Sequence, residues 1–163
     1  MEFSTTENRQ MIAQAVSDLV ERELRPNIME WDERQHMPVD LFKQHFGPAG
    51  MLGVLVPEEY GGAGLGYHEY VDTIVEVAKV CGSIGLSVAA HNSLCTGHIL
   101  YFGDPDQRKR WLTKLATGEW LGAWALTEAG TGSDAMRMAT TARKEGKEWV
   151  LNGTKNWITH GIS

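Results

Sequence analysis

Trp124-Ala125-Leu126-Thr127-Glu128-Ala129-Gly130-Thr131-Gly132-Ser133-Asp134 decides how this sequence is read. Before it, apolar residues recur at helical spacing. After it they alternate and are punctuated by turn pairs. An apolar, strand-like run over residues 121–126 leads into a glycine-bearing loop over 128–134. Gly130 and Gly132 let a backbone turn aim several N–H groups inward, a nest of the kind that holds a phosphate, and Ser133 adds a hydroxyl. An ordinary glycine loop leaving a strand fits the local pattern equally well. Gly130-Thr131-Gly132-Ser133-Asp134-Ala135 also spells Gly-x-Gly-x-x-Ala, a dinucleotide-binding fingerprint. That motif requires a long helix, a parallel strand and an acid about 20 residues on. Thr140, Thr141 and Gly146 read as strand and turn instead, and Leu151, Asn152 and Gly153 stand where the acid is needed. The fingerprint reading fails.

Downstream, residues 138–144 and 147–151 are strand candidates meeting at Glu145-Gly146. Asn152-Gly153 is a pair that favours a type I′ hairpin into a further strand over 154–159. Upstream the chain reads as helix. All 18 glycines lie at Gly47 or later, which leaves the first 46 residues free of them. Ser4 and Glu7 form a capping box ahead of Ile12, Val16, Leu19, Val20 and Leu24, and Pro26 interrupts. A second helix begins near Pro38 and carries Leu41, Phe42 and Phe46 to Gly47-Pro48. Residues 50–57 form a short apolar, extended stretch, and 58–64 a flexible loop. Val71, Ile74, Val75, Ala78 and Cys81 mark a third helix closed by Gly82. Ile84, Val88, Leu94, Cys95, His98 and Ile99 mark a long fourth ending at Gly103. Asp104-Pro105 caps a fifth, continued by Trp111, Leu112 and Leu115 to Gly118.

The expected class is therefore α+β: an all-α helical bundle over 1–120, then the first strands of an antiparallel β-domain over 121–163. Two or three strands form a sheet with open edges, marginal in water without more strands or a covering layer. On that ground the chain reads as a fragment.

With 163 residues, 42% hydrophobic and 22% charged, the composition is that of a globular protein. The net charge of −6 and the lack of a basic tract argue against nonspecific nucleic-acid binding, which runs on Lys and Arg against phosphates. No apolar run approaches the ~18 residues of a membrane span, and the first residues lack the pattern of a signal peptide. Cys81 and Cys95 have no Cys-x-x-Cys partner, which points to a reducing compartment. The expectation is a cytoplasmic protein with no nucleic-acid or membrane partner.

Ala125-Leu126-Thr127-Glu128, Gly132-Ser133-Asp134 and Asn152-Gly153-Thr154-Lys155-Asn156-Trp157-Ile158-Thr159 together resemble the acyl-CoA dehydrogenase family. Pro57-Glu58-Glu59-Tyr60-Gly61-Gly62-x-Gly64 resembles that family's N-terminal loop. Asn92-Ser93-Leu94, Tyr101-Phe102-Gly103 and the Gln107 helix are similar to its short-chain and branched-chain members. The resemblance covers essentially the whole chain, departing at Thr131 and Arg137, where smaller residues are usual. It implies a helical first domain, a middle β-domain that begins here, and a helical C-terminal domain that is absent.

It further implies an FAD enzyme that oxidises Cα–Cβ of an acyl-CoA, of short chain, to a trans-2-enoyl-CoA. Electrons would pass to an electron-transfer flavoprotein or similar acceptor, and the full-length protein would be a homodimer or homotetramer. By the resemblance, Thr127 and Thr159 hydrogen-bond the flavin ring, Trp124 and Leu126 line it, and Trp157 flanks it. Gly132 and Ser133 approach its pyrophosphate, Ser133 also lying near the thioester. The family's catalytic base belongs to the C-terminal domain, so none is assigned here. Taken singly, Trp157 reads as a core tryptophan, and Thr127 and Thr159 as residues of ordinary strand propensity.

Other constellations carry less. His91 and His98 share a helix face but lack a third ligand for zinc. His68-Glu69 opens like a zincin motif, but Asp72 occupies the second histidine's place. Glu58 and Glu59 read as solvated loop acids, and Asp134 as tying its own loop. A non-catalytic helical interaction module and an acyl-CoA oxidase remain alternative readings.

Overall fold

The computed structural model describes residues 6–161. Helix α1 (Glu7–Glu23) starts at Thr6, whose Oγ1 accepts from the Arg9 N–H at 3.2 Å. Ser4 of the expected capping box lies outside the described residues. Val16, Val20 and then Leu24 point inward, as their spacing predicts. Pro26 does more than interrupt. It sits in a 3₁₀ turn (Arg25–Asn27), where its missing N–H has no intrahelical partner to lose, and a short α2 (Ile28–Glu33) follows. Next, α3 (Val39–Leu41) widens into a π-helical turn (Phe42–Phe46) that buries Phe42 and Phe46 edge to face, 5.3 Å between centroids.

Helix α4 (Tyr67–Val80) buries Tyr70, Thr73 and Val77, leaving Val71 and Val75 exposed. The expected face was wrong because this helix carries apolar residues on two sides, and spacing alone cannot choose between them. The choice agrees with the contact to α1, where Arg9 grips Asp72 through Nε at 2.7 Å and Nη2 at 2.9 Å. Gly82 does not close α4 but opens α5 (Gly82–Ala89), which passes through a wide π-helical turn (Ala90–Thr96) into α6 (Gly97–Phe102). Helix α7 (Pro105–Ala116) is capped reciprocally: Asp104 Oδ1 accepts from Gln107 N at 2.8 Å, and Gln107 Oε1 from Asp104 N at 2.9 Å. The core joins Val16, Val20, Leu24, Phe42, Phe46, Leu52, Val77 and Val88. Burying each such side chain contributes about 1.5–3 kcal/mol.

Residues 50–57 are buried as their composition predicts but are not extended. They run in successive turns, with Gly53 N donating to Gly50 O at 3.2 Å and Val56 N to Gly53 O at 3.1 Å. With no strand beside it, this buried backbone needs other partners: Ala63, Leu65 and Gly64 N–H donate to the Gly53, Val54 and Val56 carbonyls, each at 2.9 Å, and the wide turn supplies others. Asn92 Nδ2 donates to Met51 O at 2.9 Å, and its Oδ1 accepts from Val54 N at 3.3 Å. His91 Nδ1 accepts from Gly122 N at 2.9 Å, which places the proton on Nε2, 3.1 Å from both Leu52 O and Leu115 O. A π turn suits this task because its extra residue per turn keeps Ala90, His91 and Asn92 buried in succession.

Past Gly122 the structure opens out. Residues 121–126 make no strand. Among the described residues the only strands are β1 (Thr141–Glu145) and β2 (Glu148–Asn152), antiparallel, with Thr141 opposite Asn152 and Glu145 opposite Glu148. Their turn is Gly146-Lys147, with Gly146 at φ 62°. Asn152-Gly153 makes no hairpin and 154–159 no strand. Gly153 instead passes so close to Thr140 that a Cβ would overlap its side chain. Both strands are exposed along their whole length.

Burial holds His91 neutral down to about 4, against the ordinary 6.5. Between those values the unfolded chain takes up a proton that the folded one excludes. Stability is therefore expected to fall as pH drops from about 6.5 to about 4, by on the order of 3 kcal/mol. Urea midpoints across that window check this. His91→Leu leaves the buried Leu52 carbonyl and Gly122 N–H without their partner, and a loss of about 2–4 kcal/mol is expected at neutral pH, with a flatter pH dependence.

Candidate functional site

Two segments far apart in sequence meet over the wide turn between α5 and α6. Trp124, Leu126 and Thr127 come from one; Asn156, Trp157, Ile158 and Thr159 from the other. With Ala90 and Leu94 of the turn they line a cleft of about 190 Å³. The walls are tied by Asn156 N donating to Thr127 O at 2.7 Å. The first wall is placed by Gly122, whose N–H is held by His91 and whose carbonyl accepts from His160 Nδ1 at 2.8 Å. A Cβ on Gly122 would sit 2.8 Å from that of Cys95, so only glycine lets the chain pass so near the turn.

The structure thus brings Trp124, Leu126, Thr127, Trp157 and Thr159 together. Gly132 and Ser133 stand apart from the lining, exposed on the loop that Glu128 and Thr131 close by exchanging backbone hydrogen bonds at 2.9 and 3.1 Å. Trp157 is not the core residue its composition suggests. It is 91% exposed at the cleft's mouth, with φ 59°. A bulky residue in the left-handed region is a strained one, and such residues collect where a ligand or partner over-determines the backbone. Trp124 is half-buried, its ring 5.2 Å from that of His98. Ala90, Leu94, Asn156 and Ile158 were not foreseen as lining residues. Ala90 and Leu94, one helical turn apart, were legible only as generic helix positions. Asn156 and Ile158 lay inside the quoted motif.

The acids divide plainly. Glu128 is buried, its Oε1 2.8 Å from Lys155 Nζ and 3.0 Å from Thr140 N, its Oε2 2.6 Å from Ala139 N. The Lys155 ammonium first, and then the backbone donors, hold its carboxyl down to about 2. A group so stabilised as carboxylate is a poor proton acceptor at neutral pH. Glu58 and Glu59 are exposed, and Asp134 lies 3.8 Å from Arg137 Nε on the surface. None of these lines the cleft. His91 is a core histidine and His98 an exposed one. Among the described residues no group of three or more acidic, histidine or cysteine side chains is placed to hold a metal, and no helix is long and apolar enough to cross a membrane.

The N-terminal domain of acyl-CoA dehydrogenases matches residues 6–119 of this chain and the middle domain of those enzymes matches residues 123–163. Human mitochondrial short-chain specific acyl-CoA dehydrogenase is 44% identical over 154 residues, covering 94% of this chain and 37% of that protein. A chain from the structure reported as the electron transferring flavoprotein of Acidaminococcus fermentans superposes with TM-score 0.95 at 37% identity, covering 99% of this chain and 42% of that one. An acyl-CoA dehydrogenase complexed with FAD from Bacillus anthracis superposes with TM-score 0.88 at 38% identity, over 95% of this chain and 27% of that one. The chain spans about two-fifths of the length of the curated relatives it matches. On sequence and fold together, it belongs to the acyl-CoA dehydrogenase family.

Proposed function

We propose that this chain is the N-terminal portion of an FAD-dependent dehydrogenase of short acyl-CoA thioesters, acting at Cα–Cβ to give a trans-2-enoyl-CoA. The observation that carries the reading is the convergence of Trp124, Leu126 and Thr127 with Trp157 and Thr159 on one cleft. Its donor set suits the edge of a planar heteroaromatic ring, with threonine donors between aromatic and aliphatic walls. Its volume matches one end of a dinucleotide, not the whole. When bound there, FAD supplies the acceptor for the two electrons of the oxidation.

The chain's own residues then have these tasks. Thr127 and Thr159, by hydroxyl or backbone N–H, hold the ring's electron-rich edge, where fixed donors favour the charge that develops on reduction. Trp124, Leu126 and Trp157 exclude water from it. Gly132 and Ser133, on the neighbouring exposed loop, approach the pyrophosphate, Ser133 also lying near the thioester. The proton-abstracting base is supplied by sequence outside this chain. Support for that comes from the share of the relatives' length that the chain spans, and from Glu128 being fully engaged elsewhere. The domain division at residue 120, a homodimer or homotetramer, and an electron-transfer flavoprotein as acceptor belong to the same proposal. The free thiols of Cys81 and Cys95 suit a reducing compartment such as the cytoplasm.

Mixed with FAD and butyryl-CoA, the 163-residue chain alone is expected to leave the visible flavin absorbance unbleached, while the full-length protein bleaches it. Bleaching by the chain alone overturns the placement of the base. In the full-length protein, Trp157→Ala is expected to weaken FAD binding about tenfold or more, read by flavin fluorescence on titration. An unchanged affinity removes Trp157 from the site.

A further inference from the structure

Lys155 and Glu128 do more than pair. Lys155 Nζ lies 2.8 Å from Glu128 Oε1, 3.0 Å from Leu126 O and 3.1 Å from Met138 Sδ, and both side chains are largely withdrawn from solvent. Glu128 in turn accepts from the backbone N–H groups of Ala139 and Thr140, just before β1. Thr127 therefore sits between two anchor points on one ammonium, the Leu126 carbonyl and the Glu128 carboxylate. Asn156, next to Lys155, closes the walls through its N–H to Thr127 O. The same carboxylate spans the base of the loop bearing Gly132 and Ser133, from residue 128 to residues 139–140.

We propose that Glu128 and Lys155 are a positioning pair that sets the spacing of the two cleft walls and the seat of the Gly132–Ser133 loop against them, and thereby the fit of the flavin. The proposal rests on the flavin reading above. Its physical basis is that a desolvated ion pair adds little net stability but strongly prefers one arrangement, since any slip leaves a buried charge without its partner. Beyond the Gly122 fastening and the Asn156–Thr127 bond, the rim of the site has little else to fix it. The walls are irregular backbone, and the hairpin beside them is exposed on both faces. Because Lys155 keeps Glu128 ionised down to about 2, the clamp holds throughout the neutral range.

The test uses the full-length protein carrying Lys155→Met, Glu128→Gln, both together, and Lys155→Arg. Lys155→Met and Glu128→Gln are each expected to weaken FAD binding at least about tenfold and to alter the visible flavin spectrum. The double variant is expected to lose little more than either single one, because the pair acts as a unit. Lys155→Arg, which keeps the charge, should recover part of the affinity. Wild-type affinity and spectrum in Lys155→Met and Glu128→Gln, even with lowered thermal midpoints, overturn the positioning role while leaving the flavin reading intact. Additive losses in the double variant overturn the pair as a unit. A wild-type protein that binds no FAD overturns the flavin reading, and this proposal with it. If Lys155→Met does not fold, Glu128→Gln and Lys155→Arg decide, since both keep hydrogen-bonding groups in place.

Discussion

A buried imidazole and a buried amide, side by side on one wide helical turn, carry the backbone of this fold. His91 and Asn92 meet the buried Leu52 and Met51 carbonyls and the Val54 N–H, which no sheet pairs. Residues 50–57 are too apolar to sit in water and form no strand; backbone N–H groups of residues 63–65 meet the Gly53, Val54 and Val56 carbonyls, and side chains of the wide turn meet Met51 O, Leu52 O and Val54 N. From the same imidazole a bond runs to the end of α7 and another to Gly122. The helical core, the buried loop and the exit of the chain toward the cleft are thus fastened at one point. That point works only while the imidazole is neutral, since a protonated ring has no lone pair for the Gly122 N–H.

The cleft inherits its position from that fastening. Its floor is the wide turn itself, through Ala90 and Leu94, and its first wall begins at Gly122. His160, holding the Gly122 carbonyl, brings the end of the second wall back to the same glycine. Farther out, the Glu128–Lys155 pair takes over where no helix reaches. Regular structure therefore sets the base of the site, and isolated polar contacts set its rim. The exposed, left-handed Trp157 stands at the end of that gradient.

Several elements were legible in advance for clear reasons. The periodicity of α1 and the reciprocal cap of α7 act over a few residues and were legible for that reason, whereas α1 is capped by Thr6. The motif carrying Trp124, Leu126, Thr127, Trp157 and Thr159 named the residues that the fold brings together. The misreadings share one cause. Burial of residues 50–57 was legible, but not how their backbone would be paired. The helical face of α4 was ambiguous because two faces are apolar. Asn152-Gly153 carried the turn's composition, but the approach of Thr140 fixed Gly153 by contact instead.

The sequence by itself determined the helices, the order of helical and β segments, and the residues available for the cleft, because caps, periodicity and turn propensities are local. Tertiary structure alone decided which backbone groups His91 would anchor, that Glu128 would be locked by Lys155, and that Gly132 and Ser133 would stand apart from the walls. Those outcomes depend on which groups meet across long stretches of chain in a medium that cannot solvate them, and no local pattern encodes that.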